Sequence, residues 1–265
     1  MEVTETFRPL RHQPPIGIIN TLKFYCRLSV DFQMRTIYTH LKKIIPQFKG
    51  KILDVGCGNS PFRFLVDNTQ ASYTGIDITS ADNFDCHNPD IMPFDGENIP
   101  FPDESIDHII STEVLEHIEN PQQIIAEMYR VLKNGGNAVI TIPWSARVHY
   151  IPYDYCRYTP FKLNRLFAAF SKITILNRGT DINSIVAKII VVFMGLISNS
   201  LKIKSVTSLV YSLCSIILVV ILFPILLIFI AIGHLELLFK FGSINDPLGY
   251  TVILQKMKNH DKHYR

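Results

Sequence analysis

Apolar and polar positions along most of the chain follow a pattern that predicts strands alternating with helices. Short apolar runs that end at turn residues indicate buried strands, and amphipathic stretches indicate helices that cover them. The predicted strands are 51–55, 72–78, 105–111, 137–142, 172–177 and 249–257. Strands that alternate with helices indicate a parallel sheet with both faces covered.

The helical stretches carry recognisable start and stop residues. After a loose, proline-containing arm over 1–15, one helix is predicted from Ile16 to Ile45. A second helix, over 121–133, has Asn120 as its N-cap, Gln123 to complete a capping box and Gly135 as its C-cap. Shorter helices are predicted at 62–68 and 161–170.

A long apolar segment separates the last two predicted strands. Ile216–Gly233 contains no charged residue, and with the residues back to Leu209 it is long enough to cross a bilayer. Pro224 predicts a kink there. A shorter apolar stretch, 185–197, precedes it and contains Lys188.

The strand at 249–257 limits how this segment can meet a membrane, because one sheet cannot lie on both sides of a bilayer. The chain must therefore cross an even number of times or not at all. We expect a helical hairpin or re-entrant segment attached to one side of the membrane. Two alternatives stay open: a helix buried in a dimer interface, and a single span with the last strand on the far side.

Composition agrees with a membrane surface better than with nucleic acid. The formal net charge is only +3, while 48% of the residues are hydrophobic. A weakly basic chain with an apolar segment suits an anionic bilayer. The five scattered cysteines include no C-x-x-C pair, which disfavours disulfides and zinc and fits a reducing compartment. No signal peptide begins the sequence, so we expect the catalytic part on the cytoplasmic side.

The end of the first strand predicts a nucleoside-binding turn. Gly56 and Gly58 let the backbone turn sharply and approach a ligand without a Cβ in the way. Asp77 ends the second strand at the distance along the chain where an acidic residue meets both hydroxyls of a ribose. A nicotinamide dehydrogenase would show the same two features, so they leave the cofactor open.

The following stretch carries a family resemblance. ILDVGCG, GID, the segment 95–107, IISTEVLEHIENP and EMYRVLKNGG-NAVITIP resemble, in order, the class I S-adenosylmethionine-dependent methyltransferases from about residue 50 to 143. This implies an α/β, Rossmann-like, seven-stranded and mostly parallel sheet with helices on both faces, here with a hydrophobic helical hairpin before the last strand. It also implies S-adenosylmethionine as the methyl donor, S-adenosylhomocysteine as the product, and no nicotinamide. Ser60 stands where many members have a third glycine.

The resemblance assigns cofactor roles by position. Asp54 and the Gly56–Gly58 turn with Cys57 would hold the methionine end. Asp77, with Ile78 beside it, would hold the ribose hydroxyls. Asp95 and Gly96 would meet the adenine edge, and Thr112 and Glu113 would line the methionine side.

The acceptor side is less defined. A hydroxyl acceptor needs a base nearby, and the candidates are His117, His149 and Asp154, with Glu116 beside them. The aromatic-rich segment after the fifth strand resembles the acceptor region of methyltransferases from bacterial polysaccharide and lipid-linked pathways. Its predicted substrate residues are Trp144, Tyr153, Tyr155, Arg157 and Tyr158. Structural roles stay open: His117 as a turn residue, and Asp154 with Arg157 as a brace. No metal site is predicted, since His149 and Asp154 lack a third ligand.

Together these observations predict a membrane-attached methyltransferase. The preferred reaction is O-methylation of a lipid-linked saccharide or of a lipid such as a quinone precursor. The alternative is a catalytically silent module that binds S-adenosylmethionine and acts as a membrane scaffold. The expected domains are an N-terminal arm and helix (1–46), the catalytic domain (47–180 with 248–258) and a membrane-associating insertion (181–247). The expected partners are the bilayer and a lipid-like or glycan acceptor, without nucleic acid.

Overall fold

Seven strands form one sheet in the computed structural model, which describes residues 14–78, 90–200 and 206–257. The strands are β1 (Gly50–Val55), β2 (Ala71–Ile78), β3 (Met92–Phe94), β4 (Ile106–Thr112), β5 (Leu132–Pro143), β6 (Lys172–Arg178) and β7 (Gly249–Gln255). The helices are α1 (Ile18–Val30), α2 (Phe32–Ile44), α3 (Pro121–Val131), α4 (Pro160–Leu166), α5 (Asp181–Ser200) and α6 (Val206–Phe239).

The strand order is β3-β2-β1-β4-β5-β7-β6. The pairs β2–β3, β1–β2, β1–β4 and β4–β5 are parallel, while β7 runs antiparallel to both β5 and β6. The predicted seven-stranded, mostly parallel sheet is therefore confirmed. Because the chain reverses its strand order beside β1, the carboxyl ends of β1 and β4 border the crevice in which such sheets bind ligands.

Helices cover both faces of the sheet, as the apolar patterns predict. On one face, α1 and α2 bury Phe24, Leu28 and Leu41 against Ile52 and Val139 of the strands. On the other face, α3 and α4 pack their apolar residues against the alternate strand positions. These include Ile124, Met128, Leu163, Leu53, Ile109 and Ile140. Successive residues of each strand therefore point into two separate apolar clusters, one on each face of the sheet.

The predicted helix from Ile16 to Ile45 is two helices. Asp31 leaves the helical conformation, and its Oδ1 accepts a hydrogen bond from Met34 N at 3.0 Å, which caps the start of α2. An apolar pattern alone does not reveal such a break, because the two helices keep burying residues on the same side. Of the predicted N-terminal arm, residues 1–13 lie outside the described part of the chain.

Two predicted helix ends also differ. Helix α3 ends at Val131, and β5 begins at once at Leu132, so Gly135 adopts its positive φ of 80° inside a strand. Asn120 makes no side-chain hydrogen bond to the first turn of α3. The helix predicted at 62–68 is only a 3₁₀ turn, Arg63–Leu65. Strand β3 was not predicted, because three residues are too few to show an alternation of apolar and polar positions.

An antiparallel helical hairpin connects β6 to β7. Near its base, Asn183 Nδ2 donates to the Gly233 carbonyl at 2.9 Å, and farther out the rings of Phe193 and Phe223 lie 6.3 Å apart. The hairpin expected before the last strand is thus confirmed, and α6 continues through Pro224. Since β7 pairs with β5 and β6, a single span with the last strand on the far side is wrong.

The base of the hairpin packs on α1 and α2, and much of the apolar surface farther out is exposed. A Cβ on Gly233 would lie 2.6 Å from Phe32 Cζ, and His234 Nε2 lies 2.8 Å from the Ser29 carbonyl. Farther along α6, large apolar side chains such as Val220 and Ile221 are 66% and 61% exposed. Two segments, Asp181–Ser198 and Ser212–Phe239, are long and apolar enough to cross a membrane.

Candidate functional site

The predicted cofactor residues meet at the carboxyl ends of β1 to β4. Gly56 has a φ of 71°, and a Cβ on it would lie 2.6 Å from Val114 Cγ2, so the turn after β1 packs against the exit of β4. On the other side, a Cβ on Gly96 would lie 3.1 Å from Ile78 Cγ2. The turn after β3 therefore lies against the end of β2, and the four strand ends form one continuous edge.

Asp77 holds the glycine turn in place. Its Oδ2 accepts a hydrogen bond from Gly58 N at 2.7 Å, and its Oδ1 accepts one from Ile78 N at 2.8 Å. Burial raises the pKa of Asp77 above its ordinary value, although both backbone hydrogen bonds act in the opposite direction. Each carboxylate oxygen keeps a second lone pair, which could accept a ligand hydroxyl.

Asp54 is buried with an incomplete set of partners. Tyr73 donates its hydroxyl to Asp54 Oδ2 at 2.5 Å, while Oδ1 has no hydrogen-bond partner among the described residues. Burial raises the pKa of Asp54 to about 7, the hydrogen bond from Tyr73 lowers it, and the charge of Asp77 raises it further. A cationic ligand at Oδ1 would supply the missing partner. The sequence analysis missed Tyr73, because a tyrosine in a strand gives no local signal that its hydroxyl reaches a carboxylate on the neighbouring strand.

Asp95 shapes its own turn. Oδ1 accepts hydrogen bonds from Glu97 N at 2.8 Å and Asn98 N at 2.6 Å, and Oδ2 accepts one from the Asn98 side chain at 2.8 Å. These bonds, the Asn98 side chain first, lower the pKa of Asp95. Gly96 follows with a φ of 86°. The aspartate thus fixes an exposed turn directly beside Ile78.

Glu113 leaves β4 in an unusual conformation. It has a φ of 53°, donates its backbone N–H to the Thr141 carbonyl at 3.0 Å and, through Oε1, accepts a hydrogen bond from Arg178 Nη2 at 2.8 Å. Arg178 is completely buried and also donates to the Ile142 carbonyl at 3.0 Å. No local pattern predicts this pair, whose members are far apart in the chain. Thr112, just before Glu113, is half-buried at the end of β4.

The segment after β5 covers the exit of β4. Tyr155 N donates to the Glu116 carbonyl at 2.8 Å, and the buried Tyr158 donates its hydroxyl to the Leu115 carbonyl at 3.1 Å. Tyr153 and Tyr155 are 37% and 43% exposed. Of the five predicted substrate residues, these two tyrosines face solvent, and Tyr158 lies in the core.

Trp144, at the start of the same segment, joins it to the connection between α6 and β7. Its indole Nε1 donates to Asp246 Oδ1 at 2.9 Å, and its backbone N–H donates to the Leu248 carbonyl at 2.9 Å. The segment after β5 is therefore tied to the chain that returns from the hairpin.

Asp154 and Arg157 form an ion pair within the segment after β5, which is the structural role that the sequence analysis left as an alternative. Arg157 donates to both Asp154 oxygens, at 2.5 and 2.8 Å, and His149 N donates to Oδ2 at 3.1 Å. Burial alone would raise the pKa of Asp154, but the hydrogen bonds from Arg157 and His149 outweigh it and lower the pKa. An acid held ionised by a bidentate guanidinium is a poor proton acceptor.

Glu116, His117 and His149 cluster beneath this brace. One possible ligand atom from each lies within 4.8 Å of the others, and the two imidazole centroids are 4.8 Å apart. Burial lowers the pKa of His117 to about 4, although the hydrogen bond to Tyr153 raises it. Burial, followed by the charge of Glu113, raises the pKa of Glu116 well above its ordinary value.

The comparison with known families supplies the observation that decides the class. Residues 53–140, which run from β1 to β5, match the family model described as a methyltransferase domain. Together with the seven-stranded, mostly parallel sheet, this match supports a class I S-adenosylmethionine-dependent methyltransferase domain over that part of the chain. A methyltransferase domain of this class uses S-adenosylmethionine as its methyl donor. The orphaned, buried Asp54 Oδ1 beside two positive-φ glycines fits this cationic molecule, because it offers an anionic partner in a cradle without Cβ atoms.

Curated relatives of the methyltransferase domain share its sequence over part of their length. The chain is 35% identical over 106 residues to an uncharacterized protein of Methanocaldococcus jannaschii, covering 38% of this chain and 48% of that one. It is 34% identical over 99 residues to phthiotriol/phenolphthiotriol dimycocerosates methyltransferase 1 of Mycobacterium ulcerans, covering 34% and 36%. It is 29% identical over 123 residues to demethylmenaquinone methyltransferase of Listeria welshimeri, covering 42% and 50%. The chain thus spans about half the length, or less, of these relatives.

Solved structures agree on the fold of the methyltransferase domain. A candidate sarcosine dimethylglycine methyltransferase from Galdieria sulphuraria superposes with a TM-score of 0.51 at 18% identity, covering 85% of each chain. A Haemonchus contortus phosphoethanolamine N-methyltransferase 2 in complex with S-adenosylmethionine gives a TM-score of 0.50 at 13% identity, covering 89% of this chain and 57% of that one. At these identities the likeness concerns the fold alone.

Proposed function

We propose that this methyltransferase transfers a methyl group to an oxygen of a membrane-associated acceptor, either a lipid-linked saccharide or a lipid such as a quinone precursor. The observation that carries the proposal is the exposed apolar hairpin α5–α6, whose returning chain is tied to the acceptor-side segment through Trp144 and Asp246. An acceptor held in a bilayer would reach the site beside the hairpin without leaving the membrane.

The cofactor would lie along the edge formed by β1 to β4. Asp54 Oδ1 would accept a hydrogen bond from the ammonium of the methionine end, and the Gly56–Gly58 turn with Cys57 would pack under it. Asp77, with Ile78 beside it, would accept the ribose hydroxyls through its remaining lone pairs.

At the adenine end and beside the methionine end, the predicted residues would act mainly by holding the backbone in shape. The Asp95–Gly96 turn would border the adenine, with the carboxylate of Asp95 keeping the turn in shape. Thr112 would line the methionine side, whereas Glu113 would contribute mainly its backbone, because its carboxylate already pairs with Arg178.

Methyl transfer from a sulfonium needs alignment more than activation. Orientation of two reactants in one site can supply about 7–11 kcal/mol of the barrier. The partly exposed Tyr153 and Tyr155 would bind the acceptor at the mouth of the site. His117 and His149 would face its reacting group, while Asp154 and Arg157 would hold their segment closed over the exit of β4.

The hairpin gives the membrane contact. From Asn183 to Ser200, α5 is about 26 Å long at ~1.5 Å per residue, close to the ~30 Å hydrocarbon core of a bilayer. Both ends of the hairpin return to the same sheet, so we place the catalytic domain (47–180 with 248–258) on one side, the cytoplasmic one, and the insertion (181–247) in the membrane. The N-terminal part, 1–46, would belong with the catalytic domain, since α1 and α2 cover one face of its sheet.

The names of two curated relatives are consistent with such an acceptor, since one is a phthiotriol/phenolphthiotriol dimycocerosates methyltransferase and another a demethylmenaquinone methyltransferase. The matched sequence covers only 36% and 50% of those two proteins. The hairpin therefore remains the stronger support for a membrane-bound substrate.

The test is to incubate the purified full-length chain with methyl-labelled S-adenosylmethionine and either a membrane lipid extract or an aqueous extract. We expect label in the lipid fraction, and none with Asp77→Ala; Asp103→Ala, an exposed carboxylate away from the site, is the matched control. Label confined to aqueous products would contradict the membrane acceptor. Normal cofactor binding with no labelled product from either extract would instead support the silent scaffold.

A further inference from the structure

Three side chains with metal-ligating atoms meet on the acceptor side of the site. Glu116 and His117 belong to the 3₁₀ turn Leu115–His117 after β4, and His149 belongs to the segment after β5. One possible ligand atom from each lies within 4.8 Å of the others. The sequence pointed to His149 and Asp154 without a third ligand, because Glu116 and His117 are remote in the chain and only the fold brings them near.

Glu116 is the group that needs an explanation. It is completely buried, and neither of its carboxylate oxygens has a hydrogen-bond partner among the described residues. An isolated buried carboxylate is costly unless a cation or donors compensate it. Among the residues that the structure describes, the basic atom nearest to Glu116 is His117 Nε2, 3.7 Å from Oε1, which is too long for a hydrogen bond.

Both histidines are oriented as metal ligands usually are. His117 Nδ1 lies 2.8 Å from the Tyr153 carbonyl, and His149 Nδ1 lies 2.9 Å from the Arg147 carbonyl. A carbonyl can only accept, so each Nδ1 carries the proton and each Nε2 presents a lone pair. A second nitrogen fixed on a backbone carbonyl is the common outer-shell arrangement around metal-bound histidines.

We propose that Glu116, His117 and His149 bind a divalent transition-metal ion, with Zn²⁺ as the best match. Two imidazoles and a carboxylate form a three-ligand set that leaves a position open for another group. With Zn–N distances of about 2.0–2.1 Å, tetrahedral ligand atoms lie about 3.3 Å apart. Small rotations of the side chains would close the cluster to that spacing.

The open position would face the acceptor side, under the segment that carries Tyr153 and Tyr155. A bound Zn²⁺ lowers the pKa of a coordinated water or hydroxyl. The ion would thus orient an acceptor hydroxyl, and the two histidines would act as its ligands instead of as bases. This inference goes beyond the proposed function and does not require a membrane acceptor.

The binding test uses the full chain, stripped with a chelator and titrated with Zn²⁺ in a calorimeter. We expect one site with a micromolar or lower Kd, weakened at least tenfold by His149→Gln, His117→Gln or Glu116→Gln. His234→Gln, a histidine at the base of the hairpin, is the matched control and should retain the affinity. No saturable binding below 100 µM, or equal affinity in all four variants, would overturn the proposal.

Cobalt substitution distinguishes this cluster from the scattered thiols. Co²⁺ should give visible d–d absorption without thiolate charge-transfer bands, and His149→Gln should abolish it. Thiolate bands would assign the ion elsewhere and contradict the site. S-adenosylmethionine titrated into the same stripped variants should bind as in the wild type, so failure of the metal site is distinct from failure of the cofactor site.

Discussion

Arg178 donates through Nη2 to Glu113 Oε1 at 2.8 Å, and this buried pair joins the end of β6 to the exit of β4. Arg178 is completely buried, whereas the Glu113 side chain is 27% exposed. The pair stabilises the left-handed conformation of Glu113. Thr112 precedes this residue at the end of β4, and the 3₁₀ turn that contains Glu116 follows it. One ion pair therefore holds the point at which the chain leaves β4.

Arg178→Gln should destabilise the protein by about 2–4 kcal/mol, because it leaves Glu113 without its cation. Arg165→Gln, an exposed arginine on α4, should cost less than about 0.5 kcal/mol. Denaturant unfolding of both variants measures the difference. In the double variant with Glu113→Gln, the loss should be smaller than the sum of the single losses; strict additivity would show that the pair is not coupled.

Asp54 makes cofactor binding depend on pH. Its pKa of about 7 means that the carboxyl is half protonated near neutrality, whereas a cationic methionine end prefers the ionised form. Affinity for S-adenosylmethionine should therefore fall as the pH drops below 7, approaching tenfold per unit. Calorimetric titrations from pH 5.5 to 8.5 test this, and Asp54→Asn should bind weakly with a flat profile. A flat profile in the wild type would contradict the role.

Asp54 also affects stability in the opposite direction. Because its folded-state pKa lies above the ordinary 3.8, the protonated form favours folding, and this stability is lost as the pH rises from about 4 through 7. Asp54→Asn should hence melt higher than the wild type at pH 8, by at least ~2 °C, with the gap closing toward pH 4. Thermal melts without cofactor measure it, and a lower melting temperature at pH 8 would refute the buried, unpaired carboxylate.

Gly56→Ala should damage the cofactor site. The position has a φ of 71°, and the new Cβ would lie 2.6 Å from Val114 Cγ2, so the turn or the exit of β4 must shift. We expect at least a tenfold loss of S-adenosylmethionine affinity and about 1–3 kcal/mol of stability. Gly195→Ala in α5 is the control: a Cβ there meets nothing within 4 Å, and affinity should not change. Unchanged binding in Gly56→Ala would remove the turn from the site.

The sequence predicted the parts of this protein that local patterns specify. Buried strands, the glycine turn and Asp77 have short-range signals, and the structure brings Gly58 and Asp77 into contact as their spacing suggests. A predicted boundary was wrong at Asp31, where a local side-chain cap begins α2, a feature that the apolar pattern does not record. Strand β3 was too short to show a period.

The site was harder to predict because its polar contacts join distant segments. Tyr73 on Asp54 and Arg178 on Glu113 each connect residues that no local rule relates. The same holds for Glu116 and His149, which meet only because the segment after β5 folds back over the exit of β4. Residue type indicated candidates there, but only the topology shows which of them face one another.

The hairpin should govern membrane binding without affecting the cofactor site. Ile217 and Ile221 are 59% and 61% exposed on α6, far from the base that packs against Phe32. Ile217→Glu with Ile221→Glu would place two charges in the bilayer core, at about 2.5–3.5 kcal/mol each, so flotation with lipid vesicles should fall more than tenfold. Gln122→Glu with Gln123→Glu adds the same charges to an exposed turn of α3 and should float like the wild type. S-adenosylmethionine affinity should be equal in all three proteins. If the α6 variant floats as well as the control, the exposed apolar face belongs to a protein interface and the membrane assignment fails.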